Sequence, residues 1–302
     1  MGIPTNWRIN MIKEKTVLFI LEWIEKNLEQ RITIDDITRL SGYSRRYIQL
    51  LFKKFTGKSM GDYIRRRRLC RAAILVRLTS MSMIDIATLL FFDSQQSFSR
   101  EFKKLFGCSP RQYRERDYWD LSGICPPWLD SAVTLPQWGL VNMDEIRLKG
   151  NFFEYTDNLL GEFDKNGIRY NHILKHLRYY KRDIYCLSSV CPSTKNTDSI
   201  NVKTFIGIPT EEFISEQNES VLVSNRGLYV FFHYSGLWKT YKSLVQRVYF
   251  EILPANGLAK TRSYDIELFH SININFEENE SISCDHYIPV KKIDRKEHDV
   301  CI

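Results

Sequence analysis

What the 302-residue sequence lacks sets the first limits. No hydrophobic run approaches the ~18 residues of a membrane span. The longest candidate, GLYVFFHY (227–234), has the length of a buried strand. The first 30 residues hold no clean apolar segment of a secretory signal. Position 6 is Asn, where a myristoylation signal needs a hydroxyl residue. No membrane partner is therefore expected. The seven cysteines are scattered and odd in number, without a Cys-x-x-Cys pair. That pattern speaks against a disulfide scaffold and fits free thiols in a reducing cytoplasm. His172 and His176 stand four apart but lack the acidic residue of the HExxH pattern, so no metal and no other cofactor is expected.

What is present is an uneven charge. The net formal charge is +7. Residues 1–117 carry 23 Lys+Arg against 12 Asp+Glu, whereas residues 118–302 carry 20 against 24. A basic first part joined to a mildly acidic second part suggests a polyanion-binding module attached to something else. The length suits about two domains, and 43% hydrophobic residues suffice for packed cores.

Shifted by fifty residues, the basic part overlays on itself. Ile34–Arg66 aligns with Ile84–Arg116, and 12 of the 33 positions are identical, including Ser44/Ser94, Phe52/Phe102, Gly57/Gly107 and Tyr63/Tyr113. A duplicated supersecondary unit explains this. Residues 45–51 and 95–101 share no identity, so the frame repeats while one seven-residue window differs. Each unit reads as helix, turn, helix. In the first, Ile34, Ile37 and Leu40 form an apolar stripe and Ser41-Gly42-Tyr43 a turn. Ser44 then caps a second helix that buries Ile48, Leu51, Phe52 and Phe55 and ends at Gly57. In the second, Ser94 caps a helix whose stripe is Phe98, Phe102, Leu105 and Phe106, leaving Gln96, Ser99, Arg100 and Lys103 on another face. Gln and Arg make paired hydrogen bonds to adenine and guanine edges in a major groove, so two such units in one basic domain predict a double helix-turn-helix that binds DNA. Between them, MGDYIRRRRLCRAAILVRLT (60–79) reads as a long connecting helix with Arg65–Arg68 in its basic half, some of them expected at phosphates. Two reading helices on one side of a duplex should lie about one turn, ~34 Å, apart. Because the two faces differ, the site should not be a palindrome.

The stretches SGYSRRYIQLLFKKFTGKSMGDYIRRRRL and FDSQQSFSREFKKLFGCSPRQYR resemble the paired helix-turn-helix domain of AraC/XylS-type transcription activators, and are most similar to the Mar/Sox/Rob subgroup. The resemblance covers about residues 15–116 and continues more weakly to the end, where it is similar to Rob-like proteins with a GyrI-like small-molecule domain. It implies a monomer on an asymmetric promoter site of about two turns, in contact with RNA polymerase. Position by position it implies base contacts from Gln49 in the first unit and Gln95, Gln96, Ser97 and Arg100 in the second. Two positions depart: the family's usual tryptophan is Arg46, and its usual arginine on the next turn is Leu50. Leu50 offers no hydrogen bond and can only pack on a thymine methyl. Arg46 can take guanine or phosphate. Preference is expected to be altered in that half alone. Phosphate contacts are expected from Ser44, Arg45, Lys53, Arg65, Ser94 and Lys103. Residues 1–10 precede the similarity, which begins at Met11, and are expected to be an unstructured extension or to reflect an upstream start; the extension is placed at 1–12. The DNA-binding domain is placed at 13–118 and the second domain at 119–302.

In the second domain, PPWLDSAVTLPQW (126–138) reads as linker or first strand, and RLKGNFFEY (147–155), INVKTFIGI (200–208), GLYVFFHY, YDIELFH (264–270) and SISCDHYIPV (281–290) read as strands. Helices are expected within 160–182 and 238–253, and loops at 191–199 and 215–220. The fold class is an all-α first domain followed by an α+β domain with an antiparallel sheet, which resembles GyrI-like domains. That resemblance implies that Glu267 lies inside an aromatic pocket suited to an amphipathic or cationic effector, where charge and ring faces hold a cation together. Phe231, Tyr241 and Tyr264 are candidate linings.

The leading function is a sequence-specific transcription activator with a small-molecule-sensing second domain, acting on stress and multidrug-resistance genes in the bacterial nucleoid. The alternatives are an architectural or origin-binding protein with weak sequence demand, and an enzyme using the second domain. No Ser/His/Asp order, paired carboxylates or metal cluster supports the enzyme.

Overall fold

The computed structural model describes residues 5–127, 134–158, 167–210, 220–271 and 281–293. Seven helices come first: α1 (Thr5–Lys26), α2 (Ile34–Ser41), α3 (Arg45–Thr56), α4 (Met60–Leu78), α5 (Met83–Leu89), α6 (Gln95–Phe106) and α7 (Pro110–Glu115). Then follow β1 (Tyr118–Trp119), β2 (Trp138–Met143), β3 (Arg147–Asn158), α8 (Ile168–Tyr180), β4 (Ile184–Pro192), β5 (Ser199–Pro209), β6 (Ser220–Val223) and β7 (Gly227–Leu237). The chain continues with α9 (Trp238–Arg247), a π turn (Val248–Ile252), β8 (Leu258–Thr261), β9 (Asp265–Phe269) and β10 (Ser281–Lys292). The chain divides into two compact units that do not follow chain order. One takes residues 1–74, 82–110 and 123–132, and the other takes 75–81, 111–122 and 133–302.

In the helical unit the ends of the helices carry the fifty-residue repeat. Thr33 caps α2 in a reciprocal box with Asp36, at 3.2 Å from the Asp36 N–H and 2.9 Å back to its own. Ser44 caps α3, and Ser94 accepts from the Ser97 N–H at 3.1 Å to cap α6. Gly57 (φ 75°) and Gly107 (φ 73°) end these two helices in the left-handed conformation. The turns differ. Gly42 (φ 69°) follows α2, but the second unit has no glycine there, and Phe91 adopts φ 57° one position earlier in the repeat. A bulky side chain in that region costs ~1–2 kcal/mol. The Arg68 guanidinium, 5.1 Å from the Phe91 ring centroid, offsets part of it.

The first core gathers Val17, Ile20, Leu21 and Ile24 of α1 with Ile37, Ile48, Phe52 and Tyr63. In the second unit Phe98 and Phe102, the equivalents of Ile48 and Phe52, join Phe92 and Phe106 in an aromatic column, Phe92, Phe98, Phe102 and Phe106, with successive centroids 5.2, 5.6 and 4.5 Å apart. Of residues 1–10, for which an unstructured extension or an upstream start is expected, 1–4 lie outside the described residues and 5–10 are helical, the first turns of α1, whose Val17, Ile20, Leu21 and Ile24 this core buries.

The second unit is built on an antiparallel sheet in the order β1-β8-β10-β9-β4-β5-β3-β6, with β7 pairing β10 and β2 pairing β7. Five of its strands match the expected segments. The expected linker at 126–138 falls partly outside the described residues, and its last residue opens β2. The helix expected from 160 begins at Ile168, with 159–166 outside the described residues. The loop expected at 191–199 starts two residues later, because Cys191 and Pro192 still pair with Asn201 and Ile200. Of the loop expected at 215–220, only Ser220 is described, and it opens β6. Cross-strand partners share a face. One face therefore carries the row Cys186, Glu267, His286 and Phe232. The other carries Leu187, Ile266, Tyr287 and Phe231, and beside it Tyr185, Leu268, Asp285 and His233. No described helix is long and apolar enough to cross a membrane.

Candidate nucleic-acid interface and effector site

A serine cap and a buried aromatic stripe leave one outward face on each of α3 and α6. On α3 that face holds Arg45, Arg46, Gln49, Leu50 and Lys53, all exposed, with Leu50 61% exposed. Arg46, Gln49, Leu50 and Lys53 line a surface depression of about 450 Å³ together with Ser59, Met60 and Gly61 at the start of α4. On α6 the equivalent face holds Gln95, Gln96, Arg100 and Lys103, exposed, and Ser97, half-buried. The glutamine pair is outside the protein interior, where hydrogen-bond donors and acceptors remain available to a ligand. Ser44 and Ser94 are exposed at the helix N-termini, where free backbone N–H groups favour anions.

The arginine run behaves differently from the sequence expectation. Arg67 is buried and forks onto Glu25 at 2.7 and 2.9 Å. Arg66 is directed at the Cys125 thiol, and Arg68 donates to the carbonyls of Leu28 and Gln30 at 3.1 and 2.7 Å. Arg65 remains exposed but is ion-paired with Glu101 of α6, which raises its pKa through that hydrogen bond. The run therefore serves first to tie α4 to α1 and α6. Arg45 is also paired, with Asp35 at 2.7 Å.

In the second unit Glu267 is 2% exposed. Its carboxylate accepts from Arg169 of α8 and, at 2.7 Å, from the Tyr241 hydroxyl of α9. Burial works against the Arg169 charge, and Glu267 overcomes it, so the arginine titrates above its ordinary value. Arg169 also faces the Trp238 ring at 5.6 Å. Since the Tyr241 proton goes to Glu267, its oxygen accepts from His286 Nδ1 at 2.8 Å. His286 Nε2 is then a bare acceptor, and it is buried without a partner, as is the Trp238 indole N–H. Burial pushes the His286 pKa down, against the pull of Glu267, in keeping with a neutral ring. Two unmatched polar atoms beside a buried ion pair are costly in a closed core and natural in a binding site.

The structure brings Tyr241 to Glu267 but not Phe231 or Tyr264. Phe231 lies on the opposite face, 5.0 Å from Tyr287, and Tyr264 packs with Ile266 on that same side. Sequence reasoning missed Arg169 and His286. The first comes from a helix 98 residues earlier, and no local pattern announces it.

Comparison with known proteins assigns both halves. A helix-turn-helix domain family model matches residues 37–116, and a GyrI-like small molecule binding domain model matches residues 146–291. The chain is similar to YkgA of Escherichia coli, described as an HTH-type transcriptional regulator, with 52% identity covering 67% of this chain and 85% of that one. It is 33% identical to the F1 operon positive regulatory protein of Yersinia pestis, covering 93% and 89%. It is 30% identical to the transcriptional regulator Rob of Salmonella typhimurium, covering 90% and 97%. Matched over 85–97% of the length of these relatives, the chain belongs to the Rob-like AraC-type transcriptional regulators.

Proposed function

We propose that this regulator activates transcription as a monomer, with α3 and α6 each reading one half of an asymmetric promoter site of about two turns while the bound protein contacts RNA polymerase. The observation that carries the reading is the pair of equivalent outward faces with unlike side chains, Arg46, Gln49 and Leu50 on one and Gln95, Gln96, Ser97 and Arg100 on the other. Ser44, Arg45, Lys53, Arg65, Ser94 and Lys103 flank them as phosphate contacts, with Arg45 and Arg65 exchanging their intramolecular carboxylates for phosphate. Activation is supported by the positive regulatory role in the name of the Yersinia relative. Selection of bound sequences by the purified chain tests the reading. It should return a non-palindromic site, relaxed in one half by Arg100→Ala, with the half read by α3 departing from the family's usual preference. A palindromic site, or relaxation in both halves, overturns it.

The effector enters at Glu267. An amphipathic cation would replace the Arg169 guanidinium on the Glu267 carboxylate, against Tyr241 and Trp238, with a donor directed at His286 Nε2. Stress and multidrug-resistance genes are the targets this chemistry suits. Titration calorimetry with a panel of lipophilic cations checks it, since binding should be lost in Glu267→Gln and the ligand recovered chemically unchanged.

A further inference from the structure

We propose that His233, His270 and Asp285 form a binding site for one divalent transition-metal ion, on the sheet face opposite Glu267. The three come from β7, the end of β9 and β10. Asp285 stands directly across from His233 in the β10–β7 register and across from Leu268 in the β10–β9 register, two residues before His270. One ligand atom from each lies within 4.8 Å of the others. Asp285 Oδ1 is 2.6 Å from His233 Nδ1, and Asp285 Oδ2 is 3.3 Å from His270 Nε2. A tetrahedral ion with bonds of ~2.0–2.2 Å holds its ligands about 3.3 Å apart. The two Asp285 contacts, at 2.6 and 3.3 Å, lie close to that separation, and one ligand atom from each of the three residues falls within 4.8 Å of the others.

The surrounding bonds prepare one nitrogen for this. His270 Nδ1 lies 2.9 Å from Asp183 Oδ2 and donates to it. Asp183 Oδ1 is held in turn by the Ser271 N–H and hydroxyl at 2.8 and 3.2 Å. With its proton on Nδ1, His270 presents a bare Nε2 lone pair to the Asp285 carboxylate. At 3.3 Å a second proton or a metal ion must lie between these two atoms. A carboxylate that orients a histidine from behind is the usual outer support of a metal ligand. Two imidazoles and one carboxylate suit zinc, cobalt, nickel or copper rather than magnesium or calcium. His233 is half-exposed and His270 and Asp285 are partly so, which leaves room for water as the fourth ligand.

The test uses the metal-free full-length chain titrated with Co²⁺, followed by visible absorption. Seven cysteines could also bind the ion, and thiolate ligation would announce itself by a sulfur-to-cobalt charge-transfer band. The expected result is one equivalent bound with d–d bands and no sulfur band. Binding should be lost in His270→Ala and Asp285→Asn and weakened ~10–100-fold in Asp183→Asn, where a positioning carboxylate is removed. His233→Ala, at an exposed position where folding is not at stake, should also abolish the bands, with circular dichroism checking each variant. No d–d bands at millimolar Co²⁺, which leaves the gap to a second proton, overturns the proposal. So do bands that survive His233→Ala and Asp285→Asn, or bands dominated by sulfur ligation.

Discussion

In the first helix-turn-helix unit, Gly42 makes the turn, Leu51 packs into the core, and the outward face is Arg46, Gln49 and Leu50. In the second, Phe91 takes the left-handed position, Glu101 stands where Leu51 stood and ion-pairs with Arg65, and the outward face is Gln95, Gln96 and Arg100. What the two units keep in common fixes position: the serine caps, the buried Phe52 and Phe102, and the terminal glycines Gly57 and Gly107. They differ at the turn and at the buried pair Ile48 and Phe98, but most of the change within 45–51 and 95–101 faces outward or couples the helix to its neighbours. Duplication has preserved the aim of the two helices and released the side chains that are aimed.

The largest effect that tests this comparison lies in the shared frame. Phe52→Ala and Phe102→Ala should each cost ~3–5 kcal/mol by urea denaturation, since both rings are fully buried. A small loss at either would mean that the frames are not equivalent. Next comes the divergent face. Arg100→Ala should cost ~1–3 kcal/mol of binding, confined to one half-site, and Gln49→Ala should affect only the other half, as measured by anisotropy on DNA with single half-site changes. The turns should respond in opposite directions. Gly42→Ala should destabilise by about 1 kcal/mol and Phe91→Gly stabilise by up to ~1 kcal/mol in thermal melts, because only one of the two now carries a Cβ in the left-handed region. The smallest effect concerns the coupling. Arg65→Met removes an ion pair whose arginine is 61% exposed and should change stability by less than ~1 kcal/mol, while lowering DNA affinity if Arg65 also reaches phosphate.

The helical unit was legible because its signals are local. Ser44, Ser94, Gly57 and Gly107 mark helix ends within a turn of the residues they affect, and the fifty-residue repeat reads each unit twice. The sheet was legible only as strands. β4, IYCLSSVCP, mixes serine and cysteine without β-branched alternation and is not marked as a strand by the sequence, although it is one of the two strands that flank Glu267. Which face a strand residue occupies depends on register with its neighbours, a long-range property. Phe231 and Tyr264 were therefore grouped with Glu267 while lying across the sheet from it, and the partner that neutralises Glu267 came unannounced from α8. The arginine run misled for a related reason. Four consecutive arginines circle a helix, and the sequence does not say which of them turn inward.

That inward turn reaches into solution behaviour. A protein that covers a phosphate displaces condensed counterions from the duplex, each adding about 0.9 to the slope of log affinity against log salt. The guanidiniums of Arg66, Arg67 and Arg68 are engaged by the Cys125 thiol, Glu25 and backbone carbonyls, and are expected to displace none. The measured steepness is therefore a count of the cations that face the duplex, and it should fall short of what the composition of the basic half suggests.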